Sequence, residues 1–172
     1  MKKKYAALIF CAIGLLLGSV TSEAKKKPSV TAESAIVMDV QSGAILYEKN
    51  IDKREYPASI TKVMTALVAI ENSSLSETVT YSRNAVTNLE SGASNIEIQP
   101  GEKLSMEDSL YAILLMSANE ACNGVAEHVA GSIDNFVAMM NQKAKELGCT
   151  GTNFANANGL WMSKHYTTAH EM

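Results

Sequence analysis

The 172 residues hold one Trp, three Pro, three Cys and three His, and aromatic side chains make up only 6% of the chain. Scarce aromatics and a formal net charge of −3 supply neither stacking platforms nor a basic face, so nucleic acid is not an expected partner. The cysteines and histidines stand at no metal-ligand spacing, and no metal or organic cofactor is implied. There is no internal repeat and no low-complexity stretch. The apolar run at residues 6–20 is shorter than the roughly 20 residues a membrane-spanning helix needs.

That run nevertheless sits in a recognisable context. Lys2, Lys3 and Lys4 precede it, and Ser22-Glu23-Ala24 follows with small residues where a signal peptidase reads. Residues 1–24 are therefore expected to be a signal peptide cleaved after Ala24, with an uncleaved N-terminal anchor as the alternative. Cys11 is not a lipoprotein cysteine, because Phe10 precedes it where a small residue belongs. Removing three lysines and one glutamate leaves 12 basic and 17 acidic side chains, a net charge of −5. Residues 25–34 form a tail opened by Lys25, Lys26 and Lys27, a short basic run able to touch an anionic surface. Export permits disulfides, yet Cys122 and Cys149 are expected to be free buried thiols. What remains is long enough for one domain with a real core.

Residues 35–40 and 44–48 read as two strands joined by the turn Gln41-Ser42-Gly43. Pro57 precedes a helix starting near Ser59, whose stripe Ile60, Val63, Met64 and Leu67 is expected to face the core. Ala66 and Ala69 lie near the Ser59–Lys62 face. This helix is apolar almost all round and should be buried. Residues 72–88 are polar and irregular, with a short strand at 78–81, and Gln99-Pro100-Gly101-Glu102 is a turn. Ser105 and Asp108 make a capping-box-like start for a second helix with the stripe Met106, Leu110, Ile113 and Leu114, continuing to Met116. A break at Ser117-Ala118-Asn119 is followed by a third helix to about residue 130. Ser132 caps a fourth that stops at Gly148. Met106, Met116, Met139 and Met140 are expected in the core. Residues 153–159 form a loop, and Thr168-Ala169-His170-Glu171 reads as the start of one more helix.

The chemistry lies in residues 56–70, YPASITKVMTALVAI, where Lys62 is the sole charge. Ser59 is one helical turn before it, so hydroxyl and amine share a face. A lysine stripped of hydration has a lowered pKa, and in neutral form it takes a proton from a serine. That is the arrangement of a nucleophilic acyl-transfer enzyme. The motif by itself is weak: about one chance Ser-x-x-Lys is expected in a chain this long, and Ser22-Glu23-Ala24-Lys25 also matches. Ser-x-Asn occurs twice, at Ser82-Arg83-Asn84 and at Ser117-Ala118-Asn119. Context separates them. Ser82 lies in a polar stretch, whereas Ser117 ends a long apolar helix. The plain alternatives are an N-cap for Ser59 and, for Lys62, a packed stem with its head in water.

The segments YPASITKVMTALVAIE and LLMSANEACNGVAEHVAG resemble the D-alanyl-D-alanine carboxypeptidases, the low-molecular-mass penicillin-binding proteins. AIVMDVQSGAILYEKN and ELGCTGTNFANANGLWMSKHYTTAHEM also resemble that family, in its order. The resemblance implies an α/β (α+β) fold of the β-lactamase/transpeptidase-like kind, a helical cluster packed on an antiparallel sheet and here incomplete. It implies that Ser59 is the nucleophile, Lys62 the proton acceptor, Ser117 the relay to the leaving group, and Asn119 the amide that holds both lysine and substrate. The backbone N–H of Ser59 is then an oxyanion donor. Asn156 and Gly159 look like a family loop near the cleft.

The implied substrate is a peptidoglycan stem peptide ending in D-Ala-D-Ala, trimmed through an acyl-enzyme on Ser59 that β-lactam antibiotics also form. The implied place is the extracytoplasmic face of a bacterial membrane or the cell wall, with peripheral membrane association through a C-terminal segment. One part is missing: the family's Lys-Thr-Gly occurs nowhere in the 172 residues. Residues 35–172 are thus expected to be the N-terminal portion of the catalytic domain, with little activity by themselves. The rival readings are an inactive remnant and a β-lactamase. The latter ranks lower because no carboxylate stands out to activate a deacylating water.

Overall fold

The computed structural model describes residues 28–87 and 89–172. The chain divides into two units, Met1–Thr31 and Ala32–Met172. Residues 28–31 of the first hold no helix or strand, and the expected signal peptide lies outside the described residues. The second unit is a helical cluster with three antiparallel strand pairs.

The first pair is the expected hairpin: β1 (Ala35–Met38) runs antiparallel to β2 (Ile45–Lys49), with a register shift between Val37 and Met38. Its turn is closed by Asp39, whose carboxylate accepts from the Ser42 N–H at 2.8 Å, while Gly43 takes the left-handed φ of +71°. The other two pairs join distant segments that short local patterns do not reveal. β3 (Arg54–Glu55) pairs with β6 (Thr167–Thr168), and β4 (Thr78–Thr80) pairs with β5 (Lys103–Ser105).

The helices are α1 (Thr61–Asn72), α2 (Arg83–Thr87), α3 (Met106–Leu115), α4 (Asn119–Ala130) and α5 (Ile133–Glu146). Their boundaries follow local chemistry. The Ser105 hydroxyl accepts the Asp108 N–H, and the Ser132 hydroxyl accepts the Asn135 N–H, as N-caps do. Ser82 caps the short α2 through the Ala85 N–H at 3.0 Å, which explains the second Ser-x-Asn without any chemistry. Thr168 also caps, accepting from the Glu171 N–H at 3.1 Å, but only a turn follows where a helix start was expected. β6 pairing claims Thr167 and Thr168 for the extended state.

The core lies where α1, α3, α4 and α5 meet, around Phe136, Met106, Met140, Ile113 and Val125. Tyr81 is fully buried with them, donating its hydroxyl to Ser109 at 2.7 Å. Gly124 admits the Tyr81 ring against α4, because a Cβ there would overlap it. Two expected stripes need correction. Leu114, in the last turn of α3, and Met116, just past its end, are exposed. On α1 the inward face is Thr61, Lys62, Thr65, Ala66, Val68 and Ala69. Ile60 and Val63 are instead 58% and 61% exposed. An all-round apolar helix gives periodicity no contrast to work with. Cys122 is buried and Cys149 half-buried, both free thiols. Among the described residues, no helix is long and apolar enough to cross a membrane.

Candidate active site

Ser59 stands in a 3-10 turn, Ala58–Ile60, that leads straight into α1. Pro57 fixes the approach, and Ala58 is held in the left-handed region at φ +48°, which costs a non-glycine residue energy. Ser117 joins α3 to α4 and is also left-handed, at φ +55°. The Ser117 hydroxyl donates to Ser59 Oγ at 3.1 Å.

Lys62 lies one turn beyond Ser59 and is 2% exposed, so its head does not escape to water. Nζ lies 3.1 Å from Ser59 Oγ, 3.0 Å from Asn119 Oδ1 and 2.7 Å from the Asn158 carbonyl. Burial pulls its pKa below the ordinary 10.5, against a smaller opposing pull from the Cys122 side chain. A neutral amine has two hydrogens and one lone pair. Two of its three partners are amide oxygens, which only accept. Lys62 Nζ donates to both of them, and in its neutral form it would keep a lone pair for the hydroxyl of Ser59.

Asn119 is oriented by its own partners. Its Nδ2 donates to the Ser94 carbonyl at 2.8 Å, and its backbone N–H donates to the same oxygen at 2.9 Å. That pins Oδ1 on the lysine and docks the Ser91-Gly92-Ala93-Ser94 loop at the start of α4. Residues 153–160 close the opposite side. Thr65 donates to the Ala157 carbonyl at 2.6 Å, and the Asn156 side chain accepts from the Gly159 N–H at 2.7 Å. Gly159 has φ +86°, and a Cβ there would overlap the Ala58 carbonyl, so only glycine lets this loop press on the serine's turn. Together these segments enclose a cavity of about 320 Å³ lined by Ser59, Ser94, Asn119, Asn158 and Gly159 among others.

Ser59, Lys62, Ser117 and Asn119 thus converge, from two helix starts nearly sixty residues apart in sequence. His165 also belongs here, although its position in the sequence shows no link to a site. It is fully buried, with Nε2 2.7 Å from Thr61 Oγ1 and Nδ1 accepting the Ala155 N–H at 3.1 Å. The Ala155 bond makes Nδ1 the unprotonated nitrogen, so Nε2 carries the hydrogen toward Thr61. Burial lowers its pKa from 6.5, which favours that neutral form. The signal that points to it is tertiary: the residue lies beside β6, which returns to β3 next to the serine's turn. His128 pairs with Glu77 and His170 with Asp52, both at the surface. Among the described residues, no cluster of three or more His, Cys, Asp or Glu could hold a metal.

The family profile for D-alanyl-D-alanine carboxypeptidase matches residues 21–172. The chain belongs to the D-alanyl-D-alanine carboxypeptidase family. It is 35% identical over 181 residues to the D-alanyl-D-alanine carboxypeptidase DacF of Bacillus subtilis, covering 99% of this chain and 46% of that one. It is 36% identical to DacC of Escherichia coli, covering 84% of this chain and 38% of that relative. Among solved structures it superposes on penicillin binding protein 6B from Escherichia coli with a TM-score of 0.81 at 28% identity, over 87% of this chain and 50% of that one. The D-alanyl-D-alanine carboxypeptidase DacD from Francisella tularensis gives 0.79 at 36% identity, over 85% and 36%. The fold is therefore the transpeptidase-like fold of these family members, and the chain spans less than half the length of these two curated relatives.

Proposed function

We propose that this chain carries the acylation half of a serine-type D-Ala-D-Ala carboxypeptidase of the cell wall. The observation that supports it most is the coordination of the buried Lys62 amine by three oxygens, one of them Ser59 Oγ at 3.1 Å. Lys62 takes the proton of the Ser59 hydroxyl as Oγ bonds to the carbonyl carbon of the penultimate residue. The carbon–nitrogen bond to the terminal D-alanine then breaks. Ser117, 3.1 Å from the oxygen that attacked, relays the proton now on Lys62 to the departing amine, giving up its own hydroxyl proton and taking that one in its place. Water hydrolyses the ester and frees the serine. A β-lactam follows the same first step, its amide ring bond breaking in place of the peptide bond. Asn119 holds the lysine through Oδ1 and offers its remaining Nδ2 hydrogen to the substrate backbone.

On this reading residues 1–24 direct export, residues 25–34 are a tail, and residues 35–172 are the N-terminal portion of the catalytic domain. The enzyme works outside the cytoplasm on stem peptides, with peripheral membrane association supplied by a further segment. Labelled benzylpenicillin tests it in the full-length gene product. A covalent adduct on the peptide containing Ser59, absent in Ser59→Ala, is expected. An adduct elsewhere, or none, overturns the reading. Release of the bound penicillin should be slow, and rapid hydrolysis would identify a β-lactamase instead.

A further inference from the structure

Glu120 is a buried carboxylate that the acylation chemistry leaves unused. It is the second residue of α4, directly after Asn119, and is 1% exposed. It lines no part of the cavity beside Ser59. Burying a carboxylate is costly unless its charge is matched. The free N–H groups in the first turn of a helix offset part of that cost. Oε1 also accepts from the Ile96 N–H at 2.6 Å, whereas Oε2 has no hydrogen-bond partner among the described residues. An apolar side chain would pack there without that penalty. What the carboxylate adds is the bond to Ile96.

That bond reaches the reaction centre through the backbone. Residues 91–97 contain no helix or strand. Among the described residues, their hydrogen bonds to other elements all end on Asn119 or Glu120. Asn119 grips the Ser94 carbonyl through two N–H groups, and Glu120 grips the N–H of Ile96, two residues on. A side-chain amide has two orientations about its last bond. Only the one with Oδ1 toward Lys62 supplies an acceptor to the amine. The Ser94 carbonyl selects that orientation, because it accepts from Nδ2 and would repel Oδ1. The selection lasts only while Ser94 is held in place. We infer that Glu120 is a positioning residue: by anchoring Ile96 it holds the Ser94 carbonyl, and so keeps the Asn119 amide turned toward Lys62. This rests on the acyl-transfer reading above.

The test times acylation of the full-length protein by labelled benzylpenicillin and counts the sites that acylate. Glu120→Ala and Glu120→Asp, whose carboxylate falls short of Ile96, should each lower the rate constant per site about tenfold. That is what one hydrogen bond to a charged group supplies. Glu120→Gln keeps an oxygen acceptor for Ile96 and should stay within about threefold of wild type. A purely structural role would lower the number of sites and leave the rate per site unchanged, and that result overturns the inference. A Gln variant as slow as the Ala variant overturns it too, because the charge and not the bond would then matter. In the wild-type protein the Ile96 amide should exchange with deuterium about tenfold or more slowly than a free amide. Exchange at the free rate overturns the inference even where a variant fails to fold. Each of these failures leaves the acyl-transfer reading standing, whereas no acylation of the wild-type protein overturns both.

Discussion

The two faces of helix α1 carry opposite chemistry. One face buries Thr61, Lys62 and Thr65; the other leaves Val63 and Ile70 exposed, as is Ile60 just before the helix. The buried polar groups are each matched: Thr61 to His165, Lys62 to three oxygens, Thr65 to the Ala157 carbonyl. Burying such groups without partners costs several kcal/mol, so the partners, not the hydrophobic stripe, set the rotation of this helix. The exposed face borders a groove lined mostly by apolar side chains, Leu147, Phe154 and Met172 among them, with Thr152, Thr167 and Glu171 also on its wall. The comparison teaches that this helix is oriented by hydrogen bonds to loops far away in sequence.

Substitutions on the two faces should differ in kind. The largest effect is expected from Lys62→Met, which removes the proton acceptor: penicillin acylation should fall by about 10²–10⁴-fold, read with a labelled β-lactam. A rate within a few-fold of wild type would show that another group accepts the proton. Next comes Gly159→Ala, which forces a Cβ into the Ala58 carbonyl at a left-handed position. We predict a loss of about 1–3 kcal/mol in chemical denaturation together with slowed acylation. Thr65→Val and Val63→Thr make the comparison directly. The first strands the buried Ala157 carbonyl and should cost about 1–3 kcal/mol. The second alters an exposed site and should stay within about 0.5 kcal/mol. A larger loss at Val63 would mean that this face is covered in the protein in solution.

The smallest expected effect is a pH dependence. His165 has its pKa lowered by burial from 6.5. The unfolded imidazole therefore takes its proton near that pH, while the folded one takes it only at lower pH. Stability should be level above pH 6.5 and should decline as pH falls through and below it, because the unfolded state then binds more protons. Urea midpoints measured from about pH 8 to pH 5, against a His165→Asn control, check this. A decline of equal size in the control would place the titrating group elsewhere.

Much of this was legible in the chain. The hairpin follows from alternation around Gln41-Ser42-Gly43, and the helix starts follow from Ser105 and Ser132, because those signals act over a few residues. The pairing of Ser59 with Lys62 follows from helical spacing and the absence of other charge nearby. The strand pairs β3–β6 and β4–β5 were not legible, since two or three residues hold too little pattern to announce a distant partner. Nor was the role of His165, whose partners come from Thr61 and Ala155.

Local sequence thus determined the helix starts capped by Ser105 and Ser132, and which serine has a lysine one turn away. Only the tertiary structure decided that Lys62 is stripped of water, that Asn158 and Asn119 accept from its amine, and which side of α1 faces inward. The reason is physical. Caps and spacing are satisfied within one turn of chain, whereas desolvation and the matching of buried polar atoms depend on groups up to about a hundred residues away, from Lys62 to Asn158 and Thr61 to His165.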